Sequence, residues 1–289
     1  MQVPDPATVL TTRDHRRDAA GLTYVYPVVS RRAGGLSIGI NLNPNNACNW
    51  ACRYCQVPDL TRGAAPTIDL ACLEGELRGF LHDVLEGDFL TQRVPEGMRR
   101  LCDVAFSGNG EPTASPQFAA VVERVITILQ DTGLAGAVKV VVISNGSQLG
   151  RPAVQQALQR LATVRGELWF KLDRGLASAR RRVNGVDLPD HLVLQRLACG
   201  GRLLPTWLQT CLFDELDGAA QDAADREAYL ALVAAALQSG VPLAGVLLYT
   251  LARPPLQAGG DQLRACSAAA LEAWAVPLRA LGLAVRVSA

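Results

Sequence analysis

Strand-like apolar runs alternate with helix-like segments along most of the chain, and this alternation limits the possible folds more than any other feature. The strand-like runs are residues 36–42, 101–107, 138–144, 167–173, 204–213, 243–251 and 283–288. Between them, apolar side chains recur at helical intervals in residues 69–85, 116–130, 152–162, 222–238 and 266–281. With no break in composition, six or seven such units predict one α/β domain with a parallel sheet.

The polar positions of residues 167–173 indicate the shape of that sheet. Glu, Trp, Lys and Asp alternate there with Leu, Phe and Leu, so one face would pack on helices while the other carries Lys171 and Asp173. An open doubly wound sheet has helices on both faces, which disfavours such a polar face. Six units are also too few for a closed eight-stranded barrel. We therefore expect an α/β fold with a partial (β/α)6 TIM-like barrel of parallel strands, and an open sheet is the alternative.

The ends of the chain and its charge restrict the protein class. We expect residues 31–289 to form the barrel domain and the polar residues 1–30 to form an N-terminal extension. Prolines and acids stand where a secretion signal needs an apolar core, and residues 241–252, the longest apolar run, are too short to span a bilayer. We expect a cytoplasmic protein without membrane contact. Lys and Arg number 28 against 27 Asp and Glu, so nucleic acid is a possible partner that charge does not support.

Three cysteines, Cys48, Cys52 and Cys55, stand in a C-x3-C-x2-C pattern directly after the first strand-like run. Three thiolates can hold three irons of a 4Fe–4S cluster and leave the fourth iron without a protein ligand. A structural zinc site needs four protein ligands, so zinc would have to borrow a remote residue. A zinc-binding structural or interaction module is the alternative function.

Other polar residues follow the same predicted sheet edge, where parallel α/β folds bind ligands. Glycines at this edge let a backbone approach a ligand closely, a carboxylate can accept from an amine, and an arginine suits a carboxylate or phosphate. Simpler explanations stay open: an Asn-Gly turn at 145–146, a structural Lys171–Asp173 ion pair, and a core amide at Gln209. The candidate binding residues are Tyr54, Gly108, Asn109, Gly110, Glu111, Ser144, Asn145, Lys171, Asp173, Gln209, Tyr249 and Arg253.

Two groups of arginines are expected to lie in solvent. Arg31 and Arg32 precede the first strand and could reach the same ligand site, but a solvated basic turn is the simpler expectation. Residues 180–182 are three consecutive arginines that could touch a phosphate, and charge runs of this kind are usually solvated.

The cysteine pattern with Tyr54 before its last cysteine, followed by G-N-G-E at 108–111, S-N-G at 144–146 and K-L-D at 171–173, resembles the radical SAM superfamily. Compact members related to wyosine-type tRNA-modifying enzymes, with their uncharacterised bacterial relatives, are the most similar branch. The resemblance implies a 4Fe–4S cluster on the three cysteines whose open iron binds S-adenosylmethionine (SAM). Reductive cleavage of SAM would yield a 5′-deoxyadenosyl radical that abstracts hydrogen from a substrate.

The resemblance also implies roles for other residues and a partner. The element ending at Glu111 would bind the amino group of SAM, although Asn109 stands where many members have Gly. Lys171 and Asp173 would contact the carboxylate and ribose. An external electron donor of the flavodoxin or ferredoxin type is implied. The substrate is unidentified: a nucleotide or tRNA base, a peptide or a small metabolite would each fit. Residues 1–47 contain no Cys for the second cluster of wyosine synthesis, and no residue is identified as catalytic.

Overall fold

The strands and helices follow the alternation found in the sequence. The structure is a computed structural model that describes residues 9–12, 20–216 and 223–289. Its strands are β1 (Val25–Ser30), β2 (Gly35–Ile40), β3 (Ala47–Cys48), β4 (Thr61–Arg62), β5 (Leu101–Phe106), β6 (Lys139–Ser144), β7 (Gly166–Lys171), β8 (Thr206–Glu215), β9 (Leu243–Thr250), β10 (Leu263–Ala265) and β11 (Val285–Ser288). Its α-helices are α1 (Leu70–Leu85), α2 (Phe89–Arg93), α3 (Phe118–Asp131), α4 (Pro152–Leu161), α5 (Ala177–Asn184), α6 (Asp190–Leu203), α7 (Ala223–Gln238) and α8 (Ala268–Ala280).

The main sheet has the strand order β1-β2-β5-β6-β7-β8-β9-β11. All neighbours from β2 to β11 are parallel, whereas β1 runs antiparallel to β2 and β10 pairs antiparallel with the end of β8. Helices follow β2, β5, β6, β7, β8 and β9, and β11 adds a last parallel strand. The predicted (β/α)6 arrangement is therefore confirmed.

The sheet curls so that its two ends approach each other. Arg31, in the turn between β1 and β2, donates a hydrogen bond to the main-chain carbonyl of Ala289, which follows β11. The guanidinium carbon of Arg32 lies 4.8 Å from the ring centre of Tyr249 on β9. Because β1 and β11 are opposite edges of the sheet, these contacts require strong curvature. The sheet is thus a partial barrel, and the open-sheet alternative is excluded.

The two faces of β7 differ as the sequence predicted. Leu168 and Phe170 are fully buried in the main apolar core. Trp169 and Lys171 point to the opposite, concave side and line a cavity there. The core thus fills the outer face of the sheet, and the concave face is left for polar groups.

Strand β1 was missed by the sequence analysis, which assigned its residues to the N-terminal extension. The strand lies beside β2 at the edge of the sheet: Tyr26 pairs with Gly39, and a Cβ atom on Gly39 would lie 2.1 Å from the Tyr26 ring. The sheet therefore begins before residue 31, while the division into an extension and a domain stays a prediction. Residues 1–8 and 13–19 of that extension, and residue 222 of one predicted helix, lie outside the described residues. Within the described ranges, no helix is long and apolar enough to cross a membrane.

Two helices, α5 and α6, connect β7 to β8 where no helix was predicted. The three consecutive arginines at 180–182 were expected to be solvated. This prediction was wrong for Arg180, which lies in α5 and is 1 % exposed. Its guanidinium donates to the carbonyl of Leu188 over 2.8 Å and also to Asp190, so its charge holds the start of α6 against α5. Arg181, in contrast, is exposed as expected.

Candidate functional site

A cavity of about 290 Å³ opens on the concave face and reaches the loops after the parallel strands. It brings together residues from strands and loops that are far apart in the sequence. Of the predicted site residues, only Ser144 and Asp173 lie outside its wall. Those that line it are Cys48, Tyr54, Cys52, Cys55, Gly108, Asn109, Gly110, Glu111, Asn145, Lys171, Gln209, Tyr249 and Arg253.

The cysteine loop is held in place by main-chain hydrogen bonds to the end of α5. The amide of Ala51 donates to the carbonyl of Asn184 over 3.0 Å, and the amide of Arg53 donates to the carbonyl of Val183 over 2.8 Å. All three cysteines are half-buried free thiols. No group of three or more His, Cys, Asp or Glu side chains in the described part of the chain is arranged to hold a metal ion.

The sulfur atoms of two of the cysteines accept hydrogen bonds from N–H groups of the protein. The side-chain amide of Asn184 donates to the sulfur of Cys52 over 3.3 Å, and the amide of Trp50 donates to the sulfur of Cys48 over 3.4 Å. Burial raises the pKa of Cys52 to about 12 and raises that of Cys48 as well. A cationic ligand is therefore needed to form these thiolates. Hydrogen bonds to sulfur are a normal feature of iron–sulfur sites, so the chemistry of the loop fits a cluster.

Glu111 joins the loops that follow β5 and β6. One carboxylate oxygen accepts from the Ser144 hydroxyl over 2.7 Å and from Thr113, and the other accepts from the amide of Asn145 over 2.7 Å. Burial raises the pKa of Glu111, although these hydrogen bonds oppose the shift. Both oxygens thus bind the protein, and contact between Glu111 and the amino group of SAM stays a prediction.

The glycines at 108 and 110 permit close packing onto the segment before the cysteine loop. A Cβ atom on Gly108, where φ is +142°, would lie 2.4 Å from the Asn41 side chain. A Cβ atom on Gly110 would lie 2.3 Å from the carbonyl of Ala47 and would also overlap Asn43. The structure gives these glycines a packing role, and their approach to a ligand stays a prediction.

Asp173 is a buried hydrogen-bond centre beneath the cavity. It is 1 % exposed, and its carboxylate accepts from the Tyr54 hydroxyl, from the side-chain amide of Asn184 over 2.8 Å and from the amide of Cys211 over 2.9 Å. These contacts show that Asp173 positions Tyr54 and Asn184. Direct contact with a ribose stays a prediction.

Lys171 projects from β7 into the cavity and keeps its charge. Its ammonium nitrogen lies 4.0 Å from the Asp173 carboxylate, 3.5 Å from the Tyr249 hydroxyl and 5.0 Å from the Tyr54 ring centre. Burial is the largest single influence and lowers the pKa of Lys171, but Asp173 together with Tyr249, Cys52 and Cys211 raises it above its ordinary value. Gln209, its register partner on β8, lines the same wall. This wall is suited to bind an anionic group.

Arg253 forms hydrogen bonds with Gln56 at the C-terminal end of the cysteine loop. Its guanidinium donates to the side-chain oxygen of Gln56, and the Gln56 amide donates to the carbonyl of Arg253 over 2.9 Å. Because Gln56 directly follows Cys55, the exit of β9 and the cysteine loop are joined at this point.

A network of asparagines was missed by the sequence analysis. The Asn41 side chain accepts from the amide of Asn109 over 3.1 Å, and the Asn49 side chain accepts from the side-chain amide of Asn145 over 2.8 Å. Both tie the cysteine loop to neighbouring loops. The crowding of five asparagines into residues 41–49 is the sequence signal that could have identified them.

The N-terminal arginines were also misjudged. Arg31 and Arg32 were expected in a solvated turn, but both line the cavity. Curvature of the sheet brings their turn against Tyr249 and Ala289, and no local sequence pattern carries that information.

Among solved structures, the chain is similar to Streptococcus suis SuiB bound to S-adenosylmethionine, with a TM-score of 0.50, 10% identity, and coverage of 86% of this chain and 45% of SuiB. The TM-score is lower, 0.45, for a domain of pyruvate-formate lyase-activating enzyme from Bacteroides vulgatus, which has 16% identity and for which the match covers 65% of this chain and 99% of that chain. For archaeal TYW1 the TM-score is 0.41 with 15% identity, and the match covers 77% of this chain and 67% of that chain. The likeness to SuiB is one of fold. The chain shares the partial-barrel fold of SuiB.

No protein-family model matches the chain. Among curated proteins, it is similar to the UPF0026 proteins of two Helicobacter pylori strains, ATCC 700392 / 26695 and J99 / ATCC 700824. Each is 29% identical over 163 residues, which cover 55% of this chain and 44% of the relative. The match thus spans less than half the length of these relatives.

Proposed function

We propose that this chain is a radical SAM enzyme with one 4Fe–4S cluster on Cys48, Cys52 and Cys55. The observation that carries the proposal is that these three thiols and Lys171 line one cavity at the ligand-binding edge of a partial barrel. When bound to these three cysteines, the cluster would supply the electron for reductive cleavage of SAM, the chemistry that yields a hydrogen-abstracting 5′-deoxyadenosyl radical.

The residues of the chain bind and orient the reactants in this proposal. In the proposal the charged Lys171 pairs with the carboxylate of SAM, which its position on the cavity wall supports. Asn184 and the amide of Trp50 stabilise thiolates at Cys52 and Cys48 by donating hydrogen bonds to their sulfurs. Arg253, through Gln56, keeps the cysteine loop closed over the cavity.

The partner and substrate classes are also proposals. An external electron donor of the flavodoxin or ferredoxin type would reduce the cluster. The substrate would be a nucleotide or tRNA base, a peptide or a small metabolite, in a cytoplasmic setting. The near-zero net charge gives no support to tRNA over the other two.

Anaerobic reconstitution tests the proposal. The wild-type protein should become brown, bind about four irons per chain, and form 5′-deoxyadenosine from SAM once reduced. Cys48→Ala, Cys52→Ala and Cys55→Ala should each lose the cluster and the cleavage. Cys199→Ser is the matched control, because Cys199 donates to the Leu149 carbonyl away from the cavity. A colourless protein with one zinc and no cleavage would support the zinc alternative instead.

A further inference from the structure

The cavity extends from the cysteine loop to the turn between β1 and β2, where Arg32 enters it. The guanidinium carbon of Arg32 lies 5.4 Å from the ring centre of Trp169 and 4.8 Å from that of Tyr249. Both rings belong to the concave face, so Arg32 contacts the middle of the sheet and not its rim. Two aromatic contacts hold a planar guanidinium in one place while its N–H groups stay available.

The Arg32 guanidinium makes no hydrogen bond or ion pair with the residues that the structure describes. Other arginines near the cavity are engaged: Arg174 donates to the carbonyls of Asp173 and Cys211, and Arg31 donates to the carbonyl of Ala289. A guanidinium has five N–H donors, and arginines placed in protein interiors normally have anionic partners. Arg32 is thus a half-buried cation on the cavity wall: its charge lowers the pKa of Asp103, but no described residue accepts a hydrogen bond from its guanidinium.

The charges around the cavity favour an anionic occupant. The cations on its wall are Arg31, Arg32, Lys171 and Arg253, whereas the acids are Asp103 and Glu111 on the wall and Asp173 beneath it, 4.0 Å from the Lys171 ammonium. Asp103 is buried and accepts from the Ser37 hydroxyl, and burial raises its pKa to about 6. Glu111 is buried with both oxygens bound to protein groups. The acids therefore offset only part of the positive charge.

We infer that the substrate carries a carboxylate or a phosphate and that Arg32, held against Trp169 and Tyr249, binds this group. The inference rests on the proposed function, because it assigns Lys171 to SAM and leaves Arg32 for the second reactant. Arg32 comes from the turn before β2, whereas the cysteines follow β2, so the two ends of the cavity are built by opposite ends of one strand. A substrate anchored at Arg32 would extend from there towards the cysteine loop.

Anion binding to the reconstituted, SAM-bound protein tests the inference by calorimetry, with inorganic phosphate and acetate as probes. Arg32→Met should weaken binding of the preferred anion by about tenfold or more, because it removes charged hydrogen bonds. Arg32→Lys should bind with intermediate strength, since it keeps the charge but loses the planar fork. Preference for phosphate would identify a phosphorylated substrate, and preference for acetate a carboxylate.

Arg286→Met is the matched control. Arg286 is exposed and lies 4.3 Å from the ring centre of Trp207 on the same sheet, but it does not line the cavity. The control removes the same charge from an aromatic contact and should leave anion binding unchanged. Equal binding by wild type and Arg32→Met would overturn the inference. If Arg32→Met does not fold, equal binding by wild type and Arg32→Lys would do so.

SAM cleavage without added substrate separates this inference from the proposed function. A wild-type protein that never cleaves SAM contradicts the proposed function, whereas anion binding at Arg32 can still be measured. Arg32→Met should weaken binding of the preferred anion far more than binding of SAM. Loss of SAM binding in Arg32→Met would instead place Arg32 in the SAM site and overturn the inference.

Discussion

The side-chain amide of Asn184 donates one hydrogen bond to the sulfur of Cys52 over 3.3 Å and another to the carboxylate of Asp173 over 2.8 Å. Asp173 in turn accepts from the hydroxyl of Tyr54, two residues after Cys52. The last residue of α5 and the end of β7 thus fix the middle of the cysteine loop. The same contact places an N–H dipole against a proposed cluster ligand.

Removal of that dipole should change the redox potential of the cluster. Asn184→Ala leaves the Cys52 thiolate without its N–H donor, so the oxidised cluster becomes relatively more stable. We expect the midpoint potential to fall by tens of millivolts, measured by redox titration followed by electron paramagnetic resonance. Asn45→Ala is the control, because Asn45 donates to the carbonyl of Ala64 and not to a sulfur. An unchanged potential would show that the contact does not tune the cluster.

Glu111→Gln should destabilise the protein as well as weaken SAM binding. The amide group replaces one acceptor oxygen with a donor, while the backbone N–H groups of Thr113 and Asn145 approach different oxygens of Glu111. One buried N–H group would lose its acceptor, at a cost of about 2 kcal/mol in the free energy of unfolding. Urea denaturation measures this cost. Glu123→Gln, which breaks an exposed ion pair with Arg160, should cost much less, because solvent screens that pair.

Comparison of Gly146→Ala with Gly133→Ala isolates the packing of the S-N-G turn. The two glycines have similar φ angles, +73° and +69°, so both substitutions incur the same backbone strain. A Cβ atom on Gly146 would lie 2.3 Å from the Phe170 ring, whereas one on Gly133 meets nothing within 4 Å. Gly146→Ala should therefore be more destabilising by about 2 kcal/mol in thermal or urea denaturation. Equal effects would mean that the turn is a simple Asn-Gly turn without a packing constraint.

Titration of the buried Asp103 carboxyl group should make the stability of the protein depend on pH. Burial raises the pKa of Asp103 in the folded protein to about 6 from its ordinary value of 3.8. A raised carboxyl pKa stabilises the folded state at low pH, and this stabilisation is lost as pH rises through the folded pKa. Between pH 5 and pH 8 the wild type should lose about 1 kcal/mol of stability through this residue. Asp103→Asn, which cannot titrate, should lack that loss when both proteins are denatured with urea across this range. A parallel pH dependence in both proteins would contradict the assignment.

Most of the fold could be predicted from the sequence because its signals are local. The strand run at 167–173 alternates polar and apolar residues, and β7 places them on opposite faces as expected. Strand β1 was missed because its register depends on the contact of Tyr26 with Gly39, a pair that lies on two different strands. The helix α5 was missed because a run of arginines carries no apolar periodicity. In the structure Arg180 is nevertheless buried, and its guanidinium donates a hydrogen bond to the Leu188 carbonyl.

For the candidate site, local patterns identified residue types, and tertiary contacts decided what each residue does. The C-x3-C-x2-C spacing alone identifies three thiols for one ligand, and parallel strands place Lys171 and Glu111 at the same edge. The sequence by itself therefore determined that these side chains meet at one edge of the sheet, because spacing and strand order are properties of the chain. Only the tertiary structure decided that Asp173 positions Tyr54 and that Arg32 faces the cavity, because both depend on sheet curvature, which brings distant residues into contact.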